Sequence, residues 1–472
     1  MAAPSGAPAT PSAFYKMLSV PDAVELILAE TEPLPAVALP FQAAARHTLA
    51  ADVRAAEPVP GFRASIKVDW LCDKAIPPAA IPGSASGQDG YAVLSSDGPG
   101  EYDVAFEAFA GVAPQTLQPS TVAYIGTGGP LPEGADAVVQ IEDTEFLGAG
   151  PDGTKRVRIK ISVAPGYDVR QVGSDMAAGE VVLRAGHHID AAEVGILATV
   201  GATTVQVHRK PHVAVLSTGD EVCEPDAPTL QLGQIRDANR AMLLAAAAGT
   251  GAKVTDLGIA RDTAANVEAA LDRAIAEGAD VLLTTGGVSM GDKDFIKPLL
   301  ERRGTVFFGK VKMKPGKPLT FAKVPVPEQN RSLLVFGLPG NPVSSLVTFH
   351  LAVVPCLRKM EGWQEPRLRR IHVRTANDIK MDPERPEYHR AIAHWARPVG
   401  APEGAVCGEL VAASTGGQIS SRLLSLRSAN VLLEIPQAAG VLPANTVVSA
   451  LVLGDLGAMP VPEVPAHTQL PA

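Results

Sequence analysis

The residues best equipped for chemistry fall in a few short runs. Thr284-Thr-Gly-Gly-Val-Ser-Met-Gly-Asp-Lys-Asp294 follows the apolar run 281–283. Gly286, Gly287, Ser289 and Gly291 make a loop whose backbone N–H groups can cradle phosphate at the carboxyl end of a strand. Gly287-Val-Ser-Met-Gly291 also has the Gly-x-Ser-x-Gly form of a hydrolase nucleophile elbow, but no His-Gly-Gly oxyanion motif precedes it. Gly286 and Gly291 have Walker-A spacing, yet Asp292-Lys293 stands where Lys-Ser/Thr is required. The reading that survives is a phosphate-binding turn.

Lys310, Lys312 and Lys314 alternate, which on an extended strand puts them on one face. They lead into Lys314-Pro-Gly-Lys-Pro318, where two prolines stiffen the loop and Gly316 allows close backbone approach. Lys314 and Lys317 held this way make a preorganised anion site. The plainer alternative is an edge strand that carries lysines against aggregation. Phe336-Gly-Leu-Pro-Gly-Asn-Pro-Val-Ser344 is a strand-to-helix turn at which Ser344 and first-turn amides could hold a tetrahedral oxyanion. A simple helix cap explains it as well. Asp220 and Glu221 end another apolar run, with Asp237 and Asn239 in the following loop. Together with Asp294 they form an oxygen donor set suited to Mg²⁺. Tyr388-His-Arg390 and Gly416-Gly-Gln-Ile-Ser420-Ser-Arg422 add a guanidinium fork, Arg390, and a hydroxyl donor, Ser420.

The elements that must position these groups follow from patterning. The chain has 472 residues, 41 basic against 50 acidic, net charge −9 and a pI near 5.6. That balance argues against a nucleic-acid binder, and a 46% hydrophobic content excludes wholesale disorder. Length alone suggests about three domains. Four scattered cysteines, Cys72, Cys223, Cys356 and Cys407, imply neither a disulfide framework nor a thiolate zinc site, and point to the cytoplasm. The N-terminus carries no secretory signal pattern. Residues 333–357 lack any charged side chain, but Pro339, Gly340, Asn341 and Pro342 interrupt them, so a strand, a turn and a helix are expected rather than a membrane span.

Ser19-Val-Pro-Asp22 opens a helix bearing Val24, Ile27 and Leu28. From Asp89 to about Ser162, short apolar runs at 122–125, 137–141 and 157–161 imply a small β domain. Strands at 213–216, 253–257 and 281–283 alternate with helices at 239–248 and 263–277, which implies a parallel α/β sheet. Ligands of such sheets sit at the strands' carboxyl ends, where the Gly- and Asp-rich loops fall. Short strands return from about Glu365 to Leu456.

Six motifs in order resemble the molybdenum insertase family, the MoeA and gephyrin E-domain proteins, the plant members especially. They are Asp89-Gly-Tyr-Ala-Val93, Thr127-Gly-Gly-Pro130, Ser217-Thr-Gly-Asp-Glu221, Gly286-Gly-Val-Ser-Met-Gly-Asp292, Lys314-Pro-Gly-Lys-Pro318 and Pro339-Gly-Asn-Pro-Val-Ser344. The resemblance implies a multidomain α/β protein: a central MogA-like parallel α/β domain (209–363), flanked by a small β domain (89–164) and a C-terminal β domain (364–458). An elongated α+β dimerisation domain (15–67 and 165–208) and tails at 1–14 and 459–472 complete it. It also implies a homodimer that inserts molybdate into adenylylated molybdopterin and releases AMP. On that reading Asp220, Glu221 and Asp294 hold Mg²⁺, and the 286–291 loop cradles phosphate. Lys314, Lys317, Ser344, Arg390 and Ser420 bind molybdate or charged pterin, while Asp89, Thr127 and Asp175 lie on the pterin side. Plant relatives fuse a G domain that adenylylates the pterin, so here a separate adenylyltransferase is expected to supply it.

One departure from the family is internal. Ala64-Ser-Ile-Lys67 and Asp89-Gly-Tyr-Ala-Val93, continuous in the family, are separated by residues 68–88. Val codons begin GT, a Gln codon can end AG, and the segment has no strand or helix period, so it reads as translated intron; a surface loop is the alternative. Two competing functions are a gephyrin-like scaffold without turnover and a serine hydrolase built on Ser289. The first would not need the acids and lysines, and the second lacks its oxyanion motif.

Overall fold

The computed structural model describes residues 17–65, 89–287, 295–397 and 408–457. At its centre lies a six-stranded sheet in the order Lys253–Ala260, His212–Thr218, Val281–Thr285, Arg331–Leu338, Thr320–Val326, Thr305–Phe308. The first four strands run parallel, Thr320–Val326 runs against them, and Thr305–Phe308 pairs antiparallel with Thr320–Val326. Alternation along the parallel strands feeds two cores. Val213, Val215, Val281, Leu283, Leu334 and Phe336 enter one, while Ala214, Leu216, Leu282, Leu333 and Val335 enter the other. A sheet buried on both faces needs such continuous apolar runs.

The helices supply the covers. Ala264–Ala276, capped by the Thr263 side chain on the Asn266 amide, buries Val267, Ala270, Leu271 and Ala274 along one stripe. Ala238–Gly249 covers the opposite face through Leu243 and Ala247. Val20–Glu30, capped by Ser19, packs on that same core through Val20, Ala23 and Ile27. The opening helix therefore rides on the central domain rather than on the elongated one expected for residues 15–67. Its three buried apolar residues at helical spacing join the same cluster as Phe308, Val311 and Leu334, whereas the elongated region closes a separate small core around Leu49, Leu197 and Val207. The stretch Pro342–Met360 is long and apolar enough to cross a membrane, but 78% of it is buried inside the protein. It serves as a core element of the central domain.

Two-stranded antiparallel ladders build the elongated region: Ala36–Pro40 with Thr204–His208, Val53–Arg54 with Val181–Leu183, and Ala64–Ser65 with Val169–Arg170. A six-stranded sheet carries Gly90–Val93 and Thr121–Ile125 at the centre of the small β domain. Five strands, including Glu387–Ala396 and Glu409–Ser414, close a C-terminal barrel. The run 310–314 is not a regular strand. Beyond Phe308 it forms single bridges only, Val311 with Leu18 and Lys314 with Glu387. Alternation survives nonetheless: Val311 and Met313 are buried and the three lysines half-buried.

Candidate functional site

The parallel strands His212–Thr218, Val281–Thr285 and Arg331–Leu338 end on one side of the sheet. A cleft of about 140 Å³ opens there, lined among others by Ser217, Glu221, Asp237, Asn239, Thr285 and Gly286. Its floor is a fixed polar lattice. Asn239 Nδ2 donates to Thr285 Oγ1 and to the Gly340 carbonyl, both at 2.7 Å, tying together the turns that follow two strands. Asp237 caps the Ala238–Gly249 helix on the Arg240 amide and accepts from Ser217 Oγ at 2.9 Å. Arg240 pairs with Asp237, Asp256 and Glu224, so this buried acid is already neutralised. Gly286 and Gly287 have φ of 87° and 63°. A Cβ on Gly286 would lie 2.6 Å from the Thr218 carbonyl oxygen, so the turn can follow this path only without a side chain.

The two acids at the strand end diverge. Glu221 lines the cleft. Asp220 is exposed, and its Oδ1 accepts from the Asp262 amide at 3.2 Å while its carbonyl accepts from Arg261. Ser289, Gly291 and Asp294 lie outside the described residues. Among the described residues no group of three ligating side chains could hold a metal ion. With Asp237 paired to Arg240, Glu221 is the carboxylate left to the cleft among the described residues, and by itself it does not close a Mg²⁺ shell.

The lysine loop is anchored to the barrel. Lys314 Nζ lies 2.9 Å from Glu387 Oε2 and 3.5 Å from Asp382 Oδ2. Its amide donates to the Pro386 carbonyl, and its carbonyl accepts from the Tyr388 amide. Lys314 is therefore tethered as well as charged, by partners some seventy residues on in the sequence. Lys317 is exposed. Glu387 is 2% exposed, and burial alone would raise its pKa, but hydrogen bonds with His389 and Lys314 outweigh that and hold it below the usual range. His389 continues the chain, Nδ1 3.0 Å from Glu387 and Nε2 2.7 Å from Ser414 Oγ, which in turn accepts from the Gly416 amide. Alternation on a strand puts residues 387 and 389 on one face, a signal that the sequence carries.

Arg390 is fully buried, with Nε and Nη2 donating to Ser425 Oγ and Nη1 unpartnered. Burial, opposed by Glu387, brings its pKa down to about 10. Ser420 contributes its carbonyl, which accepts from the Val343 amide. That contact spends one of the first-turn amides beside buried Ser344 that the sequence offered to an oxyanion. Barrel loop and helix start are thereby held together.

A second group gathers on the small sheet. Asp89 accepts from Tyr124 Oη and, at 3.4 Å, from the Thr127 amide. Burial and this bond push the Tyr124 hydroxyl pKa up. Ser65 Oγ donates to the Gly126 carbonyl and accepts from the Gly128 amide, so both flanks of residues 66–88 grip one turn. Asp175 pairs with Arg170, whose strand is paired with Ala64–Ser65. Ser65 and Arg170 were missed, because neither residue type signals a role without its neighbours.

Three stretches match family descriptions: "MoeA N-terminal region (domain I and II)" over 71–201, "Probable molybdopterin binding domain" over 214–359, and "MoeA C-terminal region (domain IV)" over 372–453. "Molybdopterin molybdenumtransferase 2" of Mycobacterium tuberculosis is 37% identical over 75% of this chain and 84% of its own length.

The chain belongs to the MoeA family.

Other members agree. "Molybdopterin molybdenumtransferase" of Haemophilus influenzae is 39% identical over 62% of this chain and 70% of its own length. "Gephyrin" of Dictyostelium discoideum is 35% identical over 94% of this chain. This chain spans 63% of that gephyrin and 57% of the Drosophila melanogaster relative named cinnamon. A solved MoeA structure from Pyrococcus horikoshii superposes with a TM-score of 0.72 at 26% identity, covering 93% of this chain and all of that one. The order of small β domain, central sheet and barrel is thus the MoeA order.

Proposed function

We propose that this chain is a molybdopterin molybdenumtransferase: it takes adenylylated molybdopterin and molybdate, releases AMP and leaves molybdenum on the pterin dithiolene. The observation that carries the reading is the cleft at the strand ends, where side-chain-free Gly286 backbone, Asn239 and Glu221 meet. Backbone N–H groups in such a turn suit a phosphate, and Asn239 keeps the turn rigid when one binds. Lys317 and Lys314 supply cationic charge for molybdate, the second positioned by Glu387. Buried Arg390 and the Ser420 carbonyl hold the barrel loop against the helix start at Ser344, and so position that anion-binding face from behind. Asp89, Thr127 and Asp175 serve the pterin.

Mg²⁺ enters as a proposal that needs Asp294 beside Glu221, with Asp220 reorienting; bound there it would neutralise pyrophosphate charge. Asp294→Asn tests it. Loss of AMP release with substrate binding retained supports the metal role, and unchanged turnover removes it. A homodimer is proposed because the pterin-side group and the Gly286 turn lie on separate sheets, which a second copy can bring to one cleft. A cytoplasmic setting and an adenylyltransferase activity that makes the substrate complete the proposal. The reading itself is tested by Lys317→Ala and Glu221→Gln in an AMP-release assay. A fall of at least tenfold in molybdate-dependent kcat/KM is expected, and wild-type values in both would count against the site.

A further inference from the structure

A separate cavity of about 690 Å³ lies where the elongated region, the last helix of the central domain and the barrel meet. Its volume falls in the range of small-molecule sites. Thr48 and His188 come from the elongated region, Arg358 and Trp363 from the end of the central domain, and Arg369 from the approach to the barrel. No residue of the candidate catalytic cleft lines it.

Its polar groups are unspent. Thr48 is 1% exposed and its Oγ1 has no hydrogen-bond partner, and the same holds for buried Nδ1 of His188. The two residues pair across an antiparallel bridge, so the orphaned atoms sit on neighbouring positions. The Arg358 guanidinium lies over the Trp363 ring, 4.9 Å from its centroid, and among the described residues donates only to the Arg367 carbonyl, at 3.0 Å. Among the described residues it has no carboxylate partner; burial lowers its pKa, Glu361 opposes that, and neighbouring Arg369 adds to it. No ion pair engages Arg369 among the described residues, whereas Arg367 is held by Glu25. Glu361 is held by Lys210, which leaves Glu365 as the lining carboxylate. The half-buried Arg358 guanidinium and the two orphaned buried atoms beside it are costly without a counter-charge. The forked geometry of arginine suits oxyanions, phosphate-type tetrahedral ones among them. Trp363 has Arg358 over its ring and His188 at 5.1 Å, so a stacked base is not what the cavity offers.

We infer that this cavity is a second anion site, distinct from the cleft at the strand ends, that takes a tetrahedral oxyanion through Arg358 and Arg369 with Thr48 and His188 behind them. The chemistry is shared by free phosphate or molybdate and by the phosphate of a nucleotide such as AMP. The inference does not rest on the proposed reaction.

Trp363 supplies the readout. In full-length protein carrying Trp70→Phe and Trp395→Phe, Trp363 fluorescence is titrated with inorganic phosphate, molybdate and AMP. A saturable change is expected with at least one probe. Response to phosphate or molybdate marks a free oxyanion, and response to AMP alone marks a nucleotide phosphate. Arg369→Ala, at an exposed position that tolerates change, should weaken the apparent Kd at least tenfold, and Arg358→Lys should do the same where it folds. Lys317→Ala should leave it unchanged. No saturable change with any probe, or a change that survives Arg369→Ala, would overturn the inference.

Discussion

Glu387→Gln is the sharpest probe of how the lysine loop is held. The substitution keeps size and shape but removes the charge facing Lys314 Nζ at 2.9 Å. Removing one partner of a fully buried ion pair costs about 3–5 kcal/mol. Here the Glu387 side chain is 3% exposed but Lys314 is 33% exposed, and Asp382 remains 3.5 Å away. Water and the second acid therefore screen much of the loss, which leaves about 1–3 kcal/mol. Denaturant midpoints of wild type, Glu387→Gln, Lys314→Gln and the double variant form a cycle. The account expects the double variant to lose less than the sum of the singles, with a coupling of about 1–2 kcal/mol. In turnover, Glu387→Gln should raise the molybdate KM more than it lowers kcat, because it loosens the lysine without touching the reacting atoms. Additivity within about 0.5 kcal/mol would refute the tether.

Further expectations concern backbone, pH and the interrupted motif. Gly286→Ala meets the Thr218 carbonyl at 2.6 Å, whereas Gly416→Ala, also at positive φ, meets nothing within 4 Å; the first should abolish turnover and the second cost only about 1–2 kcal/mol of stability by thermal melt. The His350 pKa is brought down to about 4 by burial, with Arg358 adding to it. Its stabilising contribution is therefore complete above about pH 6.5, where the unfolded imidazole titrates, and is lost as pH falls toward 4. His350→Gln should flatten the midpoint-versus-pH curve in that window. Glu387, held low, adds a loss only below the ordinary carboxylate range. Deleting residues 68–88 should leave a folded protein, since Ser65 and Asp89 bond to one turn. The three remaining Cα steps span up to about 11 Å, and the shorter closure favours folding by about 2 kcal/mol. Loss of near-UV circular dichroism in the deletion would count against this.

The strands and helices of the central domain were legible because both of their signals are local. Val213–Leu216 and its parallel neighbours are continuous apolar runs, and Val267, Leu271 and Ile275 mark one helical stripe. The Gly286 turn was legible from its glycines. What could not be read was partnership across the chain. Lys314 looks like a free cation until Glu387 and Asp382 are folded against it, and Asp220 looks equivalent to Glu221 until the 261–262 turn claims it. Lysine alternation at 310–314 implied a strand, but pairing depends on a neighbour that ends at Thr320. The Val20–Glu30 helix was found and assigned to the wrong region, because amphipathicity states that a face is buried, not against what.

The central claim is most directly tested by AMP release from purified full-length protein given adenylylated molybdopterin, with and without molybdate. The account predicts AMP formation that requires molybdate and is matched by molybdenum retained on the pterin. Substrate binding with no AMP release at saturating molybdate, or release indifferent to molybdate, would contradict it.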